Sequence, residues 1–135
     1  MARANGNAPT ASAATITLTA KATGATPIDL GRKGASLGDE FLEHGTLTDA
    51  AGHSAGSFQL VAQLVSGKTR HGSEQTTMTL HLASGTLQVA GGHGLTEGYV
   101  IPVIGGTSGY AGARGTLTVA AGQHESERLT ILLQD

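Results

Sequence analysis

The chain has no cysteine, only three prolines, and four aromatic residues other than histidine among its 135 positions: Phe41, Phe58, Tyr99 and Tyr110. Without cysteine there are no disulfides, no thiolate nucleophile and no cysteine-ligated zinc or iron–sulfur site. Charge is scarce as well, at 13 % of residues, with a formal net charge of −2. Arg3, Lys21, Arg32, Lys33, Lys68, Arg70, Arg114 and Arg128 are scattered along the chain. Phosphate binding needs clustered bases, so no nucleic-acid partner is expected. No apolar run approaches the roughly 20 residues of a membrane span, so no membrane partner is expected. Residues 1–13 lack both periodicity and the apolar stretch of a secretory signal. They read as a disordered tail, and the protein as cytoplasmic.

Glycine (21) and threonine (18) are abundant. Thr, Val, Ile and Leu in short runs punctuated by Gly make a strand-and-turn composition. Alternation of apolar and polar residues starts at Ile16-Thr17-Leu18-Thr19-Ala20. It predicts further strands at Phe41–Thr48, Phe58–Leu64, Glu74–Ala83, Thr86–Val89, Tyr99–Ile104, Thr116–Val119 and Leu129–Leu133. Residues 24–37, with Gly24, Pro27, Gly31 and Gly34, read as a long loop. Gly91-Gly92-His93-Gly94 reads as the end of the fifth strand. Eight short strands with hairpin-length connections and no convincing helix fit an all-β, eight-stranded antiparallel up-and-down barrel over 14–135. An open sandwich is the alternative. The inward residues are mostly small or aliphatic, which predicts a central apolar cavity for one small hydrophobic molecule.

Several residues could work in such a cavity. Glu43 alternates in phase with Phe41, Gly45 and Leu47, so it points inward if they do. A carboxylate there would have a raised pKa and could act as general acid or base. Its other reading is a wet position at the barrel mouth. Tyr99 opens the sixth strand and could donate a hydrogen bond to a developing oxyanion. Tyr110 either meets substrate or only packs its turn. Arg114 could hold an anion by a bidentate contact, or stand on the surface. Phe41, Phe58, Leu60, Met78, Leu80 and Ile101 are the expected substrate-contacting apolar positions. His44, His53, His71, His81, His93 and His124 show no metal-ligand spacing, so no metal is expected. His44 and His81 lie opposite the apolar faces, and the other four sit in or beside expected turns. Gly105, Gly106 and Gly109 are not followed by the helix that a phosphate loop needs. They read instead as suppliers of positive φ in a tight turn.

Ile104-Gly105-Gly106-Thr107-Ser108-Gly109-Tyr110-Ala111-Gly112-Ala113-Arg114-Gly115 resembles the signature loop of the allene oxide cyclase and dirigent-protein barrels. Ser36-Leu37-Gly38-Asp39 resembles the opening of their second strand. Gly56-Ser57-Phe58-Gln59, after a turn with Thr48, Asp49 and Gly52, resembles their hairpin into strand three. The order and spacing match over about residues 36–135, and length and layout are similar to those of the bacterial spirotetronate cyclases. The resemblance implies a barrel that folds a flexible apolar substrate so that it cyclises. Orientation alone can supply several of the roughly 7–11 kcal/mol open to well-oriented intramolecular reactions.

The sequence departs from the family at two points. The first strand, Thr15 to Lys21, has no acid where allene oxide cyclases carry a glutamate, and Gly45 stands where they place an asparagine. Arg114 falls in the segment that matches the dirigent arginine.

These readings converge on a cofactor-independent cyclase or isomerase, possible chemistry including a [4+2] closure. Its substrate would be a flexible hydrophobic, polyketide- or lipid-like intermediate of specialised metabolism, and association as a homo-oligomer, dimer or trimer, is expected. The alternative is a non-catalytic dirigent-like or lipocalin-like ligand-binding barrel. A third possibility is a structural protein with a filled barrel.

Overall fold

A computed structural model describes residues 14–34, 36–67 and 71–134. The expected tail, residues 1–13, and the bases Arg3, Lys68 and Arg70 lie outside the described residues. Eight strands follow in order: β1 (Ala14–Ile28), β2 (Glu40–Thr48), β3 (Ser54–Ser66), β4 (Ser73–Leu82), β5 (Gly85–Gly94), β6 (Tyr99–Gly106), β7 (Arg114–Ala121) and β8 (Glu127–Gln134). Each pairs antiparallel with its chain neighbour, and β1 also pairs with β8, so the sheet closes into a barrel. The up-and-down barrel is the architecture expected from the alternation, and the open sandwich is set aside.

Every strand but β4, which is displaced by one residue at equal length, is longer than its alternating stretch. β1 runs on through the expected loop to Ile28, because Ala25 to Ile28 pair with Glu43 to Glu40 beyond a bulge at Ala22/Gly24. The same bulge explains Gly45, where a Cβ would run into the Lys21 carbonyl. β5 likewise passes through Gly91-Gly92-His93-Gly94 instead of ending there, since these residues pair with Thr76 to Ser73. His93 is therefore a strand residue, not a turn residue.

The inward files interlock through the middle of the barrel. Leu18, Leu47, Phe58, Met78, Leu80, Leu87, Val89, Ile101, Leu117, Val119, Leu129 and Ile131 are all buried in one cluster. An eight-stranded interior is narrow enough for such side chains to fill it. Three hollows among the described residues lie at the barrel's end and outer face. No described helix is long and apolar enough to cross a membrane.

The other end is plugged. A single 3₁₀ turn, Ser108–Tyr110, follows β6, and Tyr110 packs against the core with Leu82, Ala113 and Leu133. Gly106 and Gly109 of this loop serve close approach rather than positive φ, and Gly105 serves neither. A Cβ on Gly106 would meet the Thr86 and Tyr110 carbonyl oxygens at 2.5 and 2.6 Å. The left-handed residues here are Ser108 (φ 54°) and Gly112 (φ 77°), not Gly105, Gly106 or Gly109.

Candidate active site at the barrel mouth

The chemistry collects at the end opposite Tyr110. β2 brings Glu43 there, β4 brings Glu74 and Thr76, β5 brings His93, β6 brings Tyr99 and β8 brings Glu127. Alternation explains the choice: Glu43 is two residues from buried Gly45, and Tyr99 two from buried Ile101. Glu127 is two from buried Leu129. Each is therefore the next inward-facing position beyond the packed cluster.

Two adjoining recesses open here. One holds about 150 Å³ and is bounded by Phe41, Glu43, Leu60, Thr76, Tyr99 and Glu127. The second holds about 370 Å³ and is bounded in part by Glu74, His93, Leu95, Tyr99, Val119 and Glu127. Glu74, Tyr99 and Glu127 border both. A larger hollow of about 530 Å³ lies over β1–β4, bordered by Leu42, His44, Gln59 and Val61. These side chains lie on the outer face of the sheet, and Glu43 and Leu60 border this hollow as well as the mouth.

The electrostatics of the mouth are set by burial and by like charges. Desolvation lifts the Glu43 carboxyl above the ordinary glutamate range, and the Glu127 charge lifts it further. Glu127 itself is raised by burial. The Tyr99 phenol is pushed far up, first by burial and then by Glu127, Glu74 and Glu43. It therefore keeps its proton and remains a hydrogen-bond donor at neutral pH.

His93 completes the wall. Its side chain is 6 % exposed, with Nε2 3.7 Å from Glu74 Oε1. Nε2 also lies 2.7 Å from Thr76 Oγ1. Thr76 is the one polar residue among the fully buried side chains described. The imidazole stacks on Tyr99, with ring centroids 3.6 Å apart and planes 7° from parallel.

Of the candidate residues, the mouth unites Glu43, Tyr99, Phe41 and Leu60. Phe58, Met78, Leu80 and Ile101 are in the packed cluster below it. Tyr110 is in the plug, and Arg114 pairs with Gln134 at that same far end. Arg114 is thus separated from Glu43 and Tyr99 by the length of the barrel. Glu74, His93 and Glu127 were not singled out from the sequence. Glu127 and Glu74 could have been found by extending the alternation two residues past Leu129 and Thr76. His93 was masked by its glycine-rich surroundings. Among the described residues, no group of three His, Cys, Asp or Glu is placed to hold a metal ion.

No protein-family model matches the chain, and no curated protein matches it in sequence. Solved structures do match. Pyocyanin demethylase, 23 % identical, superposes with a TM-score of 0.82 over 90 % of this chain and 100 % of that one. AbnU, an exo-specific intermolecular Diels-Alderase, is 12 % identical with a TM-score of 0.74, covering 92 % and 99 %. The pterocarpan synthase dirigent protein GePTS1 is 12 % identical with a TM-score of 0.67, covering 96 % and 88 %. The chain thus has the barrel fold shared by Diels-Alderases, dirigent proteins and pyocyanin demethylase; the loop and hairpin resemblances led one to expect the first two.

Proposed function

We propose that the protein is a small-molecule enzyme of the cyclase or isomerase kind, with its acid–base chemistry at the mouth. The observation that carries this reading is the meeting of Glu43, Glu127 and Tyr99 around one recess above an apolar core. A carboxyl with a raised pKa is a usable general acid or base near neutral pH, an effect worth about 10²–10⁴-fold in rate. In a ring closure, Glu43 exchanges a proton with the substrate while the Tyr99 hydroxyl donates to the oxygen that gains charge. Leu60 and Phe41 hold the apolar part of the substrate against the cluster below, and that orientation supplies the remaining advantage. The reading needs no cofactor.

The charge of the mouth narrows the substrate. Glu43, Glu74, Glu97, Glu125 and Glu127 border the two recesses, and no described lysine or arginine does. A recess lined by one sign of charge repels ligands of that sign. The substrate is therefore neutral or cationic where it meets the mouth. This replaces an anion held by Arg114, which lies at the far end.

The flat His93–Tyr99 wall favours a second reading, in which the substrate is a planar N-methyl aromatic that takes up water and releases its methyl carbon as formaldehyde, its own oxidised ring accepting the two electrons, a demethylation. That is the activity named for pyocyanin demethylase.

Native mass spectrometry of the pure protein against matched neutral, cationic and anionic ring compounds and linear polyenes tests both readings. Retention of a neutral or cationic compound, converted by the native protein and not by Glu43→Gln or Tyr99→Phe, supports an enzyme at this mouth. The mass change then separates cyclisation, which conserves mass, from demethylation, which does not. A retained compound returned unchanged makes the protein a binding barrel. Preference for the anion overturns the site.

A further inference from the structure

β5 and β6 are joined by ladder pairs only part of the way. The pairs run from Leu87↔Gly106 through Gln88↔Gly105 to Val89↔Val103, where the register shifts. Both strands continue toward the mouth, β5 to Gly94 and β6 to Tyr99. In that last stretch the two strands are held by a ring stack, His93 on Tyr99. Gly91 makes it possible. A Cβ there would press on Pro102 Cδ at 2.9 Å and Ile101 Cγ2 at 3.1 Å, so only glycine lets β6 come this near.

The imidazole is held on its remaining sides. Nδ1 lies 2.8 Å from the Gly94 carbonyl oxygen. A carbonyl only accepts, so Nδ1 carries the hydrogen and donates it. In the neutral ring Nε2 is then the acceptor, and it takes the Thr76 hydroxyl at 2.7 Å. One hydrogen bond at each nitrogen sets the tautomer and the ring plane together. Thr76 is itself 1 % exposed and cannot exchange this partner for bulk water.

We infer that His93 is a positioning residue whose imidazole, pinned between the Gly94 carbonyl and the Thr76 hydroxyl, holds the Tyr99 ring in place at the recess shared with Glu43, Glu74 and Glu127. This rests on the reading of Tyr99 as the donor of the site. The physical need is plain. Tyr99 begins its strand, has no ladder partner on β5 among the described residues, and borders both recesses. An untethered ring there would sample rotamers that turn the hydroxyl to water, and a donor contributes only when it is aimed before the reaction. Stacking rather than a hydrogen bond does the holding, so the phenol proton stays free for substrate. Thr76, by contrast, commits its hydroxyl to His93.

The chain has no tryptophan and two tyrosines, so in a Tyr110→Phe background Tyr99 is the only fluorescent phenol. In that background Tyr99 should give a near-ultraviolet circular dichroism band and resist acrylamide quenching. Adding His93→Ala should abolish the band and open Tyr99 to quencher. His93→Phe, which keeps a flat ring without polar atoms, should restore part of both. Thr76→Val, which removes only the hydroxyl, should weaken the band with the far-ultraviolet spectrum unchanged. If His93→Ala does not fold, Thr76→Val decides. An unchanged Tyr99 band and unchanged quenching in a folded His93→Ala or Thr76→Val protein would overturn the inference. Failure of the donor reading shows separately, as turnover or ligand retention that survives Tyr99→Phe while the spectra still depend on His93.

Discussion

Glu127, the first residue of β8, lies close enough to Glu43 on β2 for its charge to add to burial in raising the Glu43 carboxyl. Two carboxylates from strands that are not neighbours in the sheet thus share one mouth.

The first prediction is a pH dependence of stability. Glu43 and Glu127 both have folded values above the ordinary glutamate value of 4.5, mainly from burial. Between the unfolded and the folded value the native state binds more protons, so these groups make stability fall as pH rises through that window. Glu43→Gln should therefore raise the melting temperature at neutral pH, with no gain below about pH 4.5. The mouth is open to solvent, so screening keeps the gain below about 1 kcal/mol. Thermal melts across this range check the sign.

Acidic groups elsewhere have the opposite sign. Asp49 accepts the Ala51 and His53 amides at 2.9 Å each, and these bonds, led by His53, hold its carboxyl below the usual range. The stability it adds is present above the unfolded value and is lost as pH falls through the folded one. Asp49→Ala should speed amide hydrogen exchange at Ala51 and His53 while leaving the Glu43 mouth intact. Exchange measured residue by residue tests this.

Core and mouth should respond differently to truncation. Leu87 is fully buried, and Leu87→Ala should cost about 2–5 kcal/mol in urea unfolding. Phe41 is 37 % exposed at the recess. Phe41→Ala should cost less stability than Leu87→Ala and show its effect in ligand retention.

The two adjacent glycines of the signature loop provide a paired test. Gly106→Ala places a Cβ against two carbonyls, whereas nothing lies within 4 Å of a Cβ on Gly105. Gly106→Ala should lower the melting temperature and Gly105→Ala should not. Equal effects would remove the close-approach explanation.

Catalysis, once a substrate is in hand, should depend on the mouth alone. Tyr99→Phe and Glu43→Gln should each lower kcat by about 10²-fold or more. Arg114→Ala, at the far end, should leave kcat and KM unchanged. Steady-state kinetics of the three variants decides between the mouth and the plug.

Alternation along the chain was enough to read the strands, their order and the inward phase of Glu43 and Leu60. A half-buried strand writes its two faces directly into neighbouring residues. The turn at Asp49 to Gly52 was legible from its own local chemistry, whereas Gly91 to Gly94, read as a strand end, is strand. By itself, therefore, the sequence determined a cysteine-free, charge-poor barrel with an apolar inside. The strand ends were not legible, because outside the cluster neither face is consistently apolar, and the site lies at those ends. Only closure of the sheet brings β8 beside β1, and with it Glu127 into the company of Glu43. Only the β4–β5 register turns a glycine-flanked His93 inward onto Thr76 and Tyr99. Placement of the plug at one end and the carboxylates at the other was likewise a tertiary decision, since it depends on distances across the barrel that no local pattern encodes.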